Sequence, residues 1–264
     1  MPLKISELYI YPIKSMTGIS LDQVKLSKTG FEYDRFWMLT DDKGKFITQR
    51  EDSRLALFTT ELNENYLTVS YLHDSTKIPL KTEHEAQTIK TKVWSDQVSS
   101  QKESRETNNW FSNILGYRVI LVRPSEAFNR KLKQNLGDQI HYPDAGQYLF
   151  LGQSSLNHLN RKLSQPIGMD RFRPNVVFTG GKEHTEDSWS GVRVRSALFE
   201  VTESCGRCRM ITINQQNGET SKEPLKTISK YRLKDQKICF GQYLKLVGGF
   251  DDQISVGDEI SIVD

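Results

Sequence analysis

Cysteine is scarce: the 264 residues hold only Cys205, Cys208 and Cys239. An odd number without a framework excludes a disulfide-stapled secreted scaffold and fits a reducing compartment. Long apolar runs are missing too. No stretch approaches the roughly 18 residues of a membrane span, and the start, Met1-Pro2-Leu3-Lys4-Ile5-Ser6-Glu7, has no apolar signal core. We therefore expect a cytoplasmic protein with no membrane partner. Neither charge sign dominates, with 36 Lys and Arg against 33 Asp and Glu, a net charge of +3 and a pI near 8.6. That is too mild for a nucleic-acid partner, which usually needs a dense basic patch, but it suits a local site for a small anion. Glycine-rich phosphate loops of P-loop or Rossmann spacing are absent, so direct use of a nicotinamide dinucleotide is not expected. The five histidines follow no ligand spacing, and no Ser-His-Asp set stands at interpretable spacing. Internal repeats and low-complexity segments are also missing.

What the chain does have is a paired cysteine stretch, Glu203-Ser204-Cys205-Gly206-Arg207-Cys208-Arg209-Met210-Ile211-Thr212-Ile213. The residues alone leave several chemistries open. A dithiol redox pair usually sits at a helix N-terminus, where the dipole lowers the first thiol's pKa. Here the following Met210–Ile213 alternates and is β-branched, which predicts a strand. A structural zinc site needs four ligands, and only Cys239 and unpatterned histidines remain to supply them. A single soft thiolate could serve a soft metal or metal cofactor, with arginines beside it for an anionic group. Two buried thiols packing as small apolar groups is the fourth possibility.

Along the chain the pattern predicts mostly β structure. Strands are expected over residues 3–12, 21–26, 36–39, 55–62, 66–71, 88–94 and 117–122, with a glycine turn at Asp41-Asp42-Lys43-Gly44-Lys45. Residues 104–115 shift to helical period, with Trp110, Phe111, Ile114 and Leu115 on one face and Gly116 as C-cap. Residues 124–146 are expected to be a long loop. A helix over 154–163 has Ser154 or Ser155 near its cap, and a short one runs from Pro224 to about Tyr231 with Pro at its first position. Further strands are expected over 174–179, 192–202, 209–213, 243–247 and 254–263.

Several separated motifs resemble the MOSC-domain proteins, named for the molybdenum cofactor sulfurase C-terminal domain. They are Tyr11-Pro12-Ile13-Lys14-Ser15, Tyr33-Asp34-Arg35-Phe36-Trp37, Phe172-Arg173-Pro174-Asn175, Ser204-Cys205-Gly206-Arg207-Cys208 with Ile211-Thr212-Ile213, and Val256-Gly257-Asp258. The chain is similar above all to the group containing the mitochondrial amidoxime-reducing component and its bacterial relatives. The resemblance runs from about Leu3 to the C-terminus. It implies an α+β, mostly β fold: an N-terminal MOSC-type β-barrel part, residues 1–120, packed against a C-terminal MOSC β-barrel with a few helices, residues 121–264. It places the molybdenum cofactor, a pterin whose dithiolene chelates the metal and which ends in a phosphate, between the two parts.

Carried over position by position, the resemblance makes Cys208 the catalytic metal ligand, with Cys205 as a neighbour. It implies cofactor contacts from Lys14, Ser15, Arg35, Arg50, Arg173 and Asn175; Arg207, inside the cysteine motif, could donate to the pterin, and Tyr243 could reach the pocket or belong to the core. Ser154 and Ser155 are further candidates, for a phosphate at the helix N-terminus. Arg35 could instead pair with Asp34, and Lys14 and Ser15 could be an ordinary turn. The implied reaction is reduction of N-hydroxylated or N-oxide small molecules, with N–O cleavage and release of water. The alternative is a non-redox module that binds the cofactor or carries sulfur, as at the end of the sulfurases. Those sulfurases use pyridoxal phosphate in a large upstream domain that does not fit within this chain, and the mitochondrial relatives' N-terminal anchor is likewise not expected. Three cysteines cannot hold a plant-type [2Fe–2S] cluster beside a metal ligand. Electrons are therefore expected from a separate iron–sulfur, flavin or haem carrier.

Overall fold

In the computed structural model, residues 2–82, 87–132 and 138–263 are described. Its centre is a closed β-barrel. Tyr148–Gly152 pairs in parallel with Val176–Thr179, which pairs antiparallel with Leu3–Ile10. Leu3–Ile10 pairs with Glu259–Val263, and that strand with Gly191–Val194. Ala197–Gly206 and Lys237–Gly248 follow, and Lys237–Gly248 returns to Tyr148–Gly152 to close the ring. Closure leaves none of these strands with an unpaired edge. The first strand of the chain is thus a stave of the barrel built otherwise from the C-terminal half, so the two halves share a sheet.

Side chains alternate across each strand. Tyr148, Phe150, Val176, Phe178, Phe199 and Leu244 fill the barrel together with Leu8 and Ile260. Leu151 and Val177 point the other way and pack under Leu156 and Leu159 of the helix Gln153–Asn160. Covered on both faces, Tyr148–Gly152 is apolar throughout and lacks the alternation that marks a half-exposed strand. No strand is expected there from the sequence pattern, and that is why.

The N-terminal part has its own core. Met38–Thr40, Ile120–Pro124, Asp96–Lys102 and Thr88–Val93 form one sheet, and Thr59–Leu62, Tyr66–Tyr71 and Asp74–Pro79 form another. Trp37, Phe58, Val69, Phe111 and Leu121 are fully buried between them. The helix Arg105–Leu115 supplies Phe111 and Leu115. Ser104 caps it by accepting the Thr107 N–H at 3.1 Å, and Gly116 ends it at φ 76°. Both the expected helical face and the expected C-cap are present.

Four of the expected strands are corrected. Residues 209–213 form one 3-10 turn, Arg209–Thr212. The carbonyls of Ile211 and Thr212 accept from the buried Arg171 guanidinium, at 2.9 and 3.2 Å, which holds the turn in place, and only Ile213 makes a bridge, to Thr220. The stretch 192–202 is a hairpin, Gly191–Val194 and Ala197–Gly206, turning at Arg195 with φ 54°. The stretch 254–263 breaks at Gly257, φ 92°, into Gln253–Ser255 and Glu259–Val263. Residues 55–62 also begin as a 3-10 turn, Ser53–Leu57, before the strand Thr59–Leu62. Pro224 sits at the N-cap of the short helix Leu225–Ser229 rather than inside it. No helix among the described residues is long and apolar enough to cross a membrane.

Candidate functional site

The strands that fill the barrel with one face present the other to the N-terminal part. Leu149 and Tyr243 are register partners on the outside of the wall, and Cys205 ends the adjoining strand. Opposite stand Lys14 and Ser15, on the turn that leaves the first strand, and Arg35. Arg173 and Asn175 follow from the turn before Val176. Together with Asp144, Arg171, Arg207 and Cys208 they enclose a cavity of about 100 Å³. A cleft of about 1080 Å³ opens beyond it and shares Asp144, Gly206, Arg207, Cys208 and Tyr243 as a common wall. Arg50, Phe46 and Trp94 line the cleft.

Of the residues expected from the sequence, Lys14, Ser15, Arg35, Arg173, Asn175, Arg207, Cys208 and Tyr243 therefore meet at one cavity, with Arg50 at its mouth. Ser154 and Ser155 do not. The Ser155 hydroxyl donates to the Glu186 carboxylate at 3.1 Å and accepts the His184 N–H at 2.8 Å, and Ser154 donates to the Gly181 carbonyl at 3.3 Å. Glu186 also accepts the Gly152 N–H at 3.4 Å, so a protein carboxylate already occupies that helix start.

The arginines are held by neutral backbone and keep atoms free. Arg173 donates through Nη1 to the Met16 carbonyl at 2.6 Å, and Arg207 through Nε and Nη1 to the carbonyls of Phe240 and Phe172 at 2.8 and 2.9 Å. The Nη2 of each is buried with no partner. Buried donors are almost always paired, and leaving one unpaired costs about 1–3 kcal/mol. Two unpaired guanidinium nitrogens on one cavity suit an anionic or hydrogen-bond-accepting ligand. Arg35 is different: it pairs with Asp34 at 2.6 Å and donates to the Arg173 carbonyl at 3.0 Å. The Tyr11 ring lies 4.3 Å from the Arg35 guanidinium carbon and 4.2 Å from that of Arg173, so it supports both cations. Burial, then the like charge of Arg35, pulls Arg173 down to about 10.

Asn175 spends its amide on the frame. Its oxygen accepts from the Leu149 N–H at 3.1 Å and from Arg35 at 3.2 Å, and its nitrogen donates to the Tyr9 carbonyl at 3.2 Å. Ser15, Arg35 and Arg173 all have left-handed backbones, with φ of 69°, 46° and 54°. Such non-glycine strain costs roughly 1–3 kcal/mol per residue and gathers at functional sites. The surrounding bonds hold these three in it.

Lys14 is buried and donates to the Tyr142 carbonyl at 2.8 Å and to Asp144. Burial lowers its pKa to about 8 against the pull of Asp144. Partial burial would raise Asp144, but Lys14 and then Arg50 outweigh it and hold it near 2. Asp144 also accepts the Trp94 indole N–H at 3.1 Å, and lies 3.9 Å from Arg50. The sequence carried no signal for Asp144, which sits within a polar loop. Arg171 stands out there only as part of a charged run.

The two motif cysteines differ. Cys205 is 1% exposed, and burial pushes its pKa up, with Arg207 pulling back. It is hydrogen-bonded to Tyr243, whose pKa burial drives far above the ordinary value. Cys208 is exposed, and the Arg50 Nη1 lies 3.8 Å from its sulfur. All three cysteines are free, and among the described residues no three His, Cys, Asp or Glu side chains converge as a metal site. A protein-only zinc site at the pair is therefore unsupported. A soft ligand to a metal that brings its other ligands with it remains available to Cys208.

Residues 2–118 match the family described as the MOSC N-terminal beta barrel domain, and residues 137–261 match the MOSC domain. Mitochondrial amidoxime-reducing component 1 of Mus musculus is 28% identical over 280 residues, covering 98% of this chain and 82% of that protein. Mitochondrial amidoxime reducing component 2 of Rattus norvegicus is 29% identical, with 92% and 78% covered. The molybdenum cofactor sulfurase of Oryza sativa subsp. japonica is 29% identical across 90% of this chain, which spans 32% of that longer protein.

Proposed function

This chain belongs to the MOSC-domain family, and from that premise we propose that it is a molybdenum cofactor-dependent oxidoreductase that cleaves the N–O bond of N-hydroxylated or N-oxide compounds. The observation that carries the reading is the pair of buried, unpartnered Nη2 atoms of Arg173 and Arg207 on a cavity that also exposes one thiol. The donor set fits the group. Cys208 would be the soft protein ligand to the metal. Arg173, Arg207 and Lys14 would hold the anionic and accepting edges of the pterin and its phosphate. When bound, the cofactor would supply the two-electron, oxygen-accepting chemistry that N–O cleavage requires.

The chain's own residues prepare that chemistry. Arg50 puts positive charge beside the Cys208 sulfur, and Trp94 and Asp144 hold Arg50 there. Asn175 and Asp34 fix the strands and the Arg35 fork without facing a ligand themselves. Tyr243 and Leu149 close the barrel side of the cavity against water. The large cleft would admit a small molecule to Cys208. Electrons would come from a separate iron–sulfur, flavin or haem carrier that docks weakly, as transient redox contacts are small. Three free thiols suit a cytoplasmic setting. The similarity to the sulfurases supports a second reading, a module that binds the cofactor or carries sulfur without reduction.

The test is the molybdenum and pterin content of chain produced in a cofactor-competent host, followed by turnover of an N-hydroxylated probe. Near-stoichiometric molybdenum with turnover from a dye or carrier protein is expected. Folded protein without molybdenum overturns the reading, and bound cofactor without reduction selects the second one. Rapid turnover with NADH and no carrier would remove the separate donor.

A further inference from the structure

We propose that an open cleft on the N-terminal part docks an extended acidic segment of a partner protein. The cleft shares no lining residue with the cofactor cavity, and its binding does not depend on the reading above.

The cleft measures about 1090 Å³. It is bounded by the strand Asp74–Pro79, the end of the strand Asp96–Lys102, the start of the helix Arg105–Leu115 and residues 118–120. Its floor is fixed. The buried Arg123 guanidinium pairs with both oxygens of Glu103 and donates to the carbonyls of Pro79 and Leu80 at 2.6 and 2.8 Å. Glu103 in turn accepts the indole N–H of the fully buried Trp37 at 2.7 Å. One ion pair thus ties a strand end, the helix start and the core together, and Glu103 is spent on it.

The rim carries one sign of charge. Lys77, Lys81, Arg105 and Arg118 are exposed on the cleft, and the half-buried Lys102 donates to the Gln87 amide oxygen at 2.9 Å. None of these five pairs with a carboxylate among the described residues. Apart from Glu103, only Glu106 brings a carboxylate to the lining. The helix start adds partial positive charge in the same place. The chain as a whole is nearly balanced, at +3 over 264 residues, so this excess of cations is a local arrangement. Like charges gathered on one face repel one another and weaken the fold, whereas an anionic partner turns the same charges to attraction.

The lining also selects among polyanions. No aromatic side chain stands on the cleft among the described residues, so bases of a nucleic acid have no stacking platform there. The cations come from separate segments around the opening, which suits carboxylates spaced along a chain. Three of the five are lysines, point charges that accept a carboxylate from many directions. Thr76 and Asn109 add neutral groups that can hydrogen-bond a peptide backbone.

The full chain is titrated with a fluorescein-labelled octaglutamate peptide, read by fluorescence anisotropy at low ionic strength. Saturable binding is expected, with none for labelled octaserine. Raising the salt to about 0.15 M, where the Debye length is about 8 Å, should weaken it about fivefold or more. Lys77→Glu with Arg105→Glu should weaken it about tenfold, through two reversed contacts. Lys222→Glu with Lys230→Glu, exposed on the barrel half, changes the net charge equally and should alter the affinity by less than about twofold. Near-ultraviolet circular dichroism checks that each variant folds. Equal weakening by the two double variants, no saturable binding, or tighter binding of an oligothymidylate of equal charge overturns the proposal. Binding that appears only after Glu83→Gln with Glu85→Gln would give the cleft to the chain's own acidic residues and overturn a partner. These titrations need no molybdenum, so a chain that lacks the metal but binds the peptide refutes only the enzymatic reading. A loaded enzyme that reduces N-hydroxylated probes while ignoring the peptide refutes only the docking surface.

Discussion

The Nη1 of Arg50 stands 3.8 Å from the Sγ of Cys208, across 158 residues of chain. Arg50 comes from the N-terminal part and Cys208 from the end of a barrel strand. One residue earlier, Gln49 exchanges two amide hydrogen bonds with Gln215, at 3.0 and 3.1 Å. The exposed thiol is therefore positioned by both halves of the molecule, and its charged neighbour arrives only when they pack.

Cys208→Ala should eliminate molybdenum binding in a protein that still folds, because the side chain is exposed and holds up no core. Cys205→Ala should leave most of the metal while lowering stability by about 1 kcal/mol, through a small cavity and the lost Tyr243 contact. Metal analysis and urea denaturation read the two effects. Equal metal loss in both variants, with zinc recovered from the wild type, would transfer the site to a zinc pair.

Arg173→Lys and Lys14→Gln should each cut cofactor occupancy by about tenfold or more. A lost charge-assisted hydrogen bond costs about 1.5–3 kcal/mol, and lysine cannot reproduce the fork that bonds Met16 while leaving a second nitrogen free. Both residues are buried, so these milder changes are preferable to charge reversal. Molybdenum and pterin per folded chain is the measurement. Undiminished occupancy in both would show that neither residue faces the cofactor.

Sulfate binding to the cofactor-free chain should depend on pH through Lys14. The protonated amine attracts the anion, and its pKa is about 8. Affinity should be level below pH 7 and fall as pH rises through 8, by up to about tenfold per unit. The sign for folding is opposite. The unfolded lysine titrates at about 10.4, so between these values the unfolded chain binds more protons and stability rises with pH. Lys14→Gln should flatten the sulfate profile; a wild-type profile already flat from pH 7 to 9 would contradict the assignment.

Asn175→Ala should act on stability first. It removes one acceptor and one donor that tie three strands together, for a loss of about 2–3 kcal/mol. Thermal unfolding with and without the cofactor separates the roles. Unchanged stability together with lost occupancy would make Asn175 a ligand contact instead of a frame residue.

Much of this molecule is legible along the chain. The helix Arg105–Leu115 has its apolar face and both caps within a dozen residues, so local periodicity and capping determine it. The short motifs around Lys14, Arg35, Arg173 and Cys208 mark the residues that line the cavity, because each depends on a few neighbouring side chains. Other features have no local signature. Tyr148–Gly152 is buried on both faces and shows no period, so only barrel closure makes it a strand. Residues 209–213 alternate like a strand, yet Arg171, from a distant turn, captures their carbonyls and curls them. Ser155 looks available at a helix start until Glu186 arrives from another segment. Asp144 gains its role from Lys14, Arg50 and Trp94, none of them near it in sequence. Residue type and local spacing determined which groups could hold an anion or a metal. Long-range packing decided which of them keep a free donor, because a buried hydrogen bond goes to whichever partner the tertiary structure brings closest.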